Sequence, residues 1–268
     1  MIDVPRTIIN QCMFQPKRRR YFCSPAMLEN CEEITIKGST PDITLNAWYF
    51  TVQEPSGYVV ASYGAGNCVC DWVGEANYLR ERYNVSVLVH DYRGFGKSTG
   101  EPDIWHIVND SVKVVEWLCE HEKISAADLI MYGHSLGGAI AVHLASEFKS
   151  QGLIVSSSFT CLGDMAFKFA WWLPGSNLLI PWDYLNSKNA ITGYYGTLLC
   201  SHGDHDDVIP SWHGKALFDA CPSENKTFVA MDKKHTWARI DYYKGKENYY
   251  YLEKEKEFFA SMRKPVKK

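Results

Sequence analysis

Residues 129–141 read Leu129-Ile130-Met131-Tyr132-Gly133-His134-Ser135-Leu136-Gly137-Gly138-Ala139-Ile140-Ala141. Four apolar residues form a short strand-like run, and a helical pattern begins at Leu136 and continues to Lys149. Between them lies G-x-S-x-G. A strand that reverses sharply into a helix must hold the residue at the turn in strained backbone angles. Side chains two positions to either side would collide with the neighbouring strand and helix, so glycine is required there. The reading is a turn that lifts the Ser135 hydroxyl above the C-terminal edge of a sheet; the competing reading is an ordinary turn serine.

Outward from that turn, short apolar runs alternate with helical patterns. Strands are expected at Tyr58–Tyr63, Val85–His90, Leu129–Tyr132, Leu153–Ser156, Thr197–Ser201 and Lys226–Met231. Helices are expected near Gly74–Tyr83, Ile104–His121, Leu136–Lys149 and Gly214–Ala220, with a final amphipathic helix from about Lys246 to Met262. Continuous apolar strands separated by helices call for an α/β architecture with a mainly parallel sheet covered on both faces. Two earlier runs, Glu33–Lys37 and Ile43–Val52, read as an antiparallel pair at its edge. Residues 159–195 break the rhythm with the aromatic stretch FKFAWWLPGSNLLIPWDYL, an insertion above the sheet. Its aromatic residues either wall an apolar acyl pocket or only pack the insertion down. The chain has no internal repeat, and one domain is expected over 1–268, with 1–30 as an N-terminal extension.

A serine hydroxyl becomes an effective nucleophile when a base takes its proton, and that base needs a carboxylate to fix its tautomer. Both partners follow Ser135 in the chain. His202-Gly203-Asp204-His205-Asp206-Asp207-Val208-Ile209-Pro210 comes directly after a predicted strand, so its carboxylates lie at the same sheet edge as the serine. His235 comes after the next strand and is the only histidine beyond position 213. Asp204, Asp206 and Asp207 compete for the acid role, and periodicity does not separate them. Backbone N–H groups for a developing oxyanion are expected from Leu136 and from Ala65, in the glycine-flanked loop Tyr63-Gly64-Ala65-Gly66-Asn67.

Composition narrows the partners. With 46% hydrophobic and 22% charged residues, the 268-residue chain is far from the signature of disorder. A formal charge of -3 gives no overall attraction to phosphate backbones, so nucleic acid is not an expected partner. The local exception is Lys17-Arg18-Arg19-Arg20, which offers contact with an anionic membrane or another protein, against a plain solvated turn. Nine scattered cysteines without a CxxC pair argue for reduced thiols in a cytoplasmic setting rather than a disulfide framework or zinc cage. No apolar run suits a membrane span or signal peptide. The sequons at Asn84 and Asn225 lie at strand edges and carry no weight.

With these residues in place, the chain resembles the Bem46-like and depalmitoylase-like branch of the α/β-hydrolases, from about Phe14 to the C-terminal helix. The resemblance rests on Asp91-Tyr92-Arg93-Gly94-Phe95-Gly96-Lys97-Ser98-Thr99-Gly100-Glu101-Pro102, on GHSLGG around Ser135, on HGDHDDVIP, and on Ser211-Trp212-His213-Gly214-Lys215-Ala216-Leu217-Phe218. It implies the α/β-hydrolase fold: a mainly parallel eight-stranded sheet, helices on both faces, and a short insertion over the active site. It also implies Ser135 as nucleophile, His235 as base and, from the spacing HGxxDxxVP, Asp206 as acid, with Asp207 next. Relatives hydrolyse acyl esters or thioesters, some on lipidated proteins, and others are classed as serine peptidases; none needs a metal or cofactor. A non-catalytic binding protein of the same fold is the remaining alternative. Two departures stand out: Tyr63-Gly64-Ala65-Gly66 replaces the branch's usual His-Gly-Asn-Ala, and Lys234 replaces the glycine usually found before the histidine.

Overall fold

The computed structural model describes residues 10, 22–165, 183–235, 240–241 and 246–266. The basic run at 17–20, Cys12 and residues 166–182 of the aromatic insertion lie outside this set. The main elements are β1 (Cys31–Lys37), β2 (Thr44–Phe50), β3 (Gly57–Ser62), α1 (Val73–Tyr83), β4 (Val85–His90), α2 (Ile107–Glu122) and β5 (Leu129–His134). They continue with α3 (Leu136–Phe148), β6 (Gly152–Ser156), the short α4 (Ser187–Ala190), β7 (Thr197–Gly203), α5 (Trp212–Ala220) and β8 (Lys226–Met231). A two-stranded ladder of β9 (Ile240–Asp241) and β10 (Lys246–Glu247) precedes α6 (Tyr249–Ala260).

Eight strands form one sheet in the order β1-β2-β4-β3-β5-β6-β7-β8. The pairings β1–β2 and β2–β4 are antiparallel, and the remaining five are parallel, so the sheet is mixed, with its antiparallel part at one edge. Strands β3 to β6 are buried along their whole length, which explains their continuous apolar runs. Helix layers follow from crossover handedness. The β3–α1–β4 unit steps one way along the sheet and β4–α2–β5 the other, so right-handed crossovers put α1 and α2 on opposite faces. Units α3 and α5 step in the direction of α2 and share its face. Helix α6 joins α1, with Tyr83 and Phe259 stacked at 4.1 Å between ring centroids and the Tyr83 hydroxyl donating to Glu255.

Helix α5 begins two residues before the expected Gly214, at Trp212, and two other helices start three residues late. Helix α2 begins at Ile107 rather than Ile104 because Asp103 holds a preceding turn, its Oδ1 accepting from Trp105 N at 3.1 Å and its carbonyl from His106 N at 3.2 Å. Helix α6 begins at Tyr249 rather than Lys246: Lys246 and Glu247 pair with β9, and the Asn248 side chain caps the helix by accepting from Tyr251 N. Helices α1, α2 and α3 each stop at a left-handed residue, Asn84, Lys123 and Lys149.

The order reverses at β3, with β4 on one side and β5 on the other. A reversal of this kind opens a crevice beyond the C-terminal strand ends, here above β3 and β5. Helix α3 closes onto that point so tightly that a Cβ on Gly137 would sit 2.0 Å from the Ser62 carbonyl oxygen. Gly137→Ala therefore sets about 1 kcal/mol of gained helix propensity against overpacking costs of about 3 kcal/mol. Urea unfolding should show a net loss of about 2 kcal/mol; an unchanged or higher midpoint would contradict the close approach.

Candidate active site

Ser135 sits between β5 and α3 at φ 56°, ψ −123°, outside the regions open to ordinary L-residues. The turn is clamped from several sides. Ser135 N donates to Ser156 O at 2.9 Å, Gly138 N donates to Ser135 O at 3.0 Å, and the Ser158 hydroxyl donates to the same carbonyl at 2.9 Å. A Cβ on Gly133 would meet Gly137 O at 2.0 Å, which is why both glycines of the motif are needed. Strain of this kind typically stores 1–3 kcal/mol, roughly, and persists only where the surroundings over-determine it.

The loop after β7 brings a carboxylate to the same rim. Asp206 Oδ1 accepts from the backbone N–H groups of Val208 (2.9 Å) and Ile209 (2.7 Å), and Oδ2 lies 2.7 Å from His235 Nδ1. His235 Nε2 in turn is 3.1 Å from Ser135 Oγ. This chain assigns the tautomer: Nδ1–H donates to Asp206 and Nε2 accepts from the hydroxyl. The Asp206 side chain is fully buried, while the His235 side chain is 16% exposed. Burial alone would raise the Asp206 carboxyl, but hydrogen bonds from His202 and His235, the charge on His235 and the Ile209 amide outweigh it and hold the group well below the usual carboxylate range. The other two carboxylates point elsewhere. Asp204 is exposed, and Asp207 is exposed with its carboxylate 3.7 Å from Lys234 Nζ. The His235 loop is seated on β7 without the family's glycine: Lys233 O accepts from His205 N at 2.9 Å, and a Cβ on Gly203 would lie 2.4 Å from that same carbonyl.

The loop after β3 faces the serine. A Cβ on Gly64 would stand 3.3 Å from Ser135 Cβ, so the bare backbone there approaches the serine. Leu136 is the first residue of α3, where the helix ladder supplies no acceptor for its N–H. Ala65 is half-buried, in a turn closed by Asn67 N donating to Gly64 O at 3.1 Å.

Sequence reasoning missed what supports these groups. The Tyr63 hydroxyl donates to the buried Asp91 carboxylate at 2.9 Å, and the Tyr92 hydroxyl donates to Tyr63 O at 2.6 Å, anchoring the strand end that leads into Gly64 and Ala65. Tyr63 is the first residue of the loop that departs from the family pattern in the resemblance above, and the DYRGFG run supplies both of its partners, so these were the available signal. His134 is buried beside the site, its ring 5.1 Å from that of His235, and burial first, then the neighbouring His235, pushes it down to about 3. It therefore stays uncharged where a second cation would oppose a protonated His235.

No cluster of three or more potential metal ligands occurs among the described residues. A cleft of about 540 Å³ lies at the opposite end of the sheet between Thr51, Glu54, Tyr58, Glu122 and Lys264. That cleft holds none of the residues of this site. The strained serine and its hydrogen-bond chain mark it instead.

Comparison with known proteins places the chain among hydrolases. The family model Hydrolase_4, serine aminopeptidase S33, matches residues 53–194, just over half the chain, including Ser135 and the loop after β3 but stopping short of Asp206 and His235. YfhR of Escherichia coli K12, an uncharacterized protein, is 27% identical over 271 residues, covering 98% of this chain and 90% of YfhR. Protein bem46 of Schizosaccharomyces pombe is 30% identical over 155 residues, 56% of this chain and 51% of bem46. Among solved structures, the Pyrococcus furiosus esterase Pf2001 shares the fold with a TM-score of 0.71 at 17% identity, over 93% of this chain and 97% of that one. The chain belongs to the serine aminopeptidase S33 family and is an α/β-hydrolase of the Bem46-like branch.

Proposed function

We propose that the protein hydrolyses acyl esters or thioesters through an acyl-enzyme on Ser135, with His235 as general base and acid and Asp206 as the carboxylate that orients it. The observation that carries this reading is the unbroken run from Ser135 Oγ through His235 to Asp206, at 3.1 and 2.7 Å, on a strained turn. In the first half-reaction His235 Nε2 takes the hydroxyl proton as Ser135 Oγ bonds to the acyl carbon. The carbonyl oxygen gains negative charge and is met by the N–H groups of Leu136 and Ala65. His235 then passes its proton to the departing alkoxide or thiolate. Water enters, loses a proton to the same nitrogen and releases the acid, restoring the serine. No cofactor takes part in this scheme.

The family's description as a serine aminopeptidase supports a second reading, cleavage of peptide amides. The first is preferred because the insertion at 159–195 is too short to form the large gating domain that oligopeptidases use, and its aromatic character suits the wall of an acyl pocket. For location, we propose a cytoplasmic protein with peripheral membrane contact through Lys17, Arg18, Arg19 and Arg20. Its scattered cysteines support the first part, and among the described residues no helix is long and apolar enough to cross a membrane.

Ser135→Ala is expected to abolish labelling by a fluorophosphonate probe and ester turnover together, and surviving label would remove the serine from this role. Asp206→Asn should lower kcat on the order of 10⁴-fold, as loss of the orienting carboxylate does in other serine hydrolases, while Asp207→Asn keeps wild-type turnover; equal losses would reopen the choice of acid. A panel of p-nitrophenyl esters and acyl thioesters from two to sixteen carbons, run beside aminoacyl p-nitroanilides, separates the substrate classes. Rising kcat/KM with chain length is expected. Amide cleavage with every ester untouched would reverse the order of the two readings.

A further inference from the structure

His202 is the penultimate residue of β7, which is buried from Leu198 to Gly203, and the catalytic scheme above gives it no step. Its side chain is fully buried, with Nε2 2.9 Å from Ile209 O and 3.3 Å from Asp206 Oδ2. The opposite ring nitrogen, Nδ1, has no hydrogen-bond partner among the described residues. It faces the backbone of α5 at Gly214, where an added Cβ would stand 2.4 Å away. A hydrogen on Nδ1 would be a buried donor with nothing to receive it, so the ring carries its hydrogen on Nε2. His202 is thus a fixed donor aimed at the acid loop.

We infer that His202 is a positioning residue for the triad, which divides the negative charge of Asp206 with His235 and locks the turn that presents it. This rests on the triad reading above. The lock is closed at both ends of one residue: Ile209 N holds Asp206 Oδ1 at 2.7 Å, and Ile209 O is held by His202. The charge effect follows from Oδ2, which faces two imidazole N–H edges, one from β7 and one from the loop after β8. Among the described residues, the other titratable groups around the pair include His134, at the end of β5, the exposed Asp204 of the same loop, and two exposed pairs on the rim, His205 with Asp232 at 3.0 Å and Lys234 with Asp207 at 3.7 Å. With the His202 donor removed, the two backbone N–H groups still hold Oδ1, so the carboxylate stays charged and concentrates its attraction on His235. A protonated His235 is then stabilised, and the base form is lost at a higher pH than before.

The test is the acid limb of kcat/KM against pH, which reports the free enzyme's essential base, with a p-nitrophenyl ester and the full-length protein. His202→Leu should move that limb upward by about half to one pH unit and reduce kcat roughly tenfold. His202→Gln, whose amide reaches a similar point with an N–H, should bring the limb back toward wild type. Gly214→Ala leaves the imidazole chemistry intact but drives a methyl against Nδ1, and it should shift the limb in the same direction; it also serves where His202→Leu does not fold. A residue that only packs β7 against α5 would lower the unfolding midpoint and leave the limb in place. A wild-type limb in Gly214→Ala, or in a folded His202→Leu, overturns the assignment. Turnover that survives Ser135→Ala is a separate failure: it removes the triad itself, and the role given to His202 goes with it.

Discussion

The site depends on one steric constraint, the contact of α3 with the end of β3 through a residue that has no side chain. Gly137 brings the first turn of the helix against the Ser62 carbonyl, and Gly133 admits the Gly137 carbonyl from the other direction. Between them the chain has a single route, and Ser135 takes it at a positive φ. The roughly 1–3 kcal/mol of strain this stores is small beside the burial of α3. Leu136, Ile140, Val142 and Leu144 are all at most 2% exposed, and each large apolar side chain so buried contributes roughly 1.5–3 kcal/mol. Packing therefore holds the serine where local conformational preference would not.

That hierarchy explains what could be read from the chain alone. The strands were legible because β3 to β6 are covered on both faces and so read as unbroken apolar runs. The turn at Ser135 was legible because only glycine tolerates the contacts at 133 and 137. Which carboxylate meets His235 was not legible in the residues, since Asp204, Asp206 and Asp207 differ only in which way a short loop turns. In the structure the Asp206 carboxylate folds back to accept from Val208 and Ile209, which buries it, and its two neighbours are left in solvent. The start of α2 was misplaced for a related reason: an Asp side chain competing for nearby backbone N–H groups leaves no mark in hydrophobic periodicity. His202 was hidden more completely. Its significance comes from a nitrogen pressed against the bare backbone of Gly214, a contact between residues that pattern reading treats separately.

Three buried carboxylates line the C-terminal side of the sheet, and each is satisfied differently. Asp110 is paired with Arg93, whose Nε and Nη2 donate at 2.5 and 2.8 Å, and this ties the loop after β4 to α2 and to Ser39. Asp91 accepts from the Tyr63 hydroxyl, the Asn46 amide and the backbone N–H groups of Val69 and Lys97. Asp206 accepts from two amides and faces two imidazoles. An arginine partner does not change charge at working pH, and neither do amides or a tyrosine hydroxyl raised well above its usual range by burial. Of the three, Asp206 alone faces imidazoles, those of His235 and His202.

This difference bears on how a buried charge can serve an acyl transfer. A carboxylate neutralised by a permanent cation would already have spent its attraction and would offer little to an imidazolium forming beside it. One held only by a histidine would be poorly anchored when that histidine is uncharged, and burial would favour its protonation. The two backbone N–H groups on Oδ1 resolve the conflict on the proposed reading. They keep Asp206 charged and oriented in every state of His235, and leave Oδ2 to respond as the proton arrives. On the same proposed reading His235 exchanges that proton with a leaving group and then with water, a role that suits an imidazole partly open to solvent over a carboxylate that is wholly enclosed.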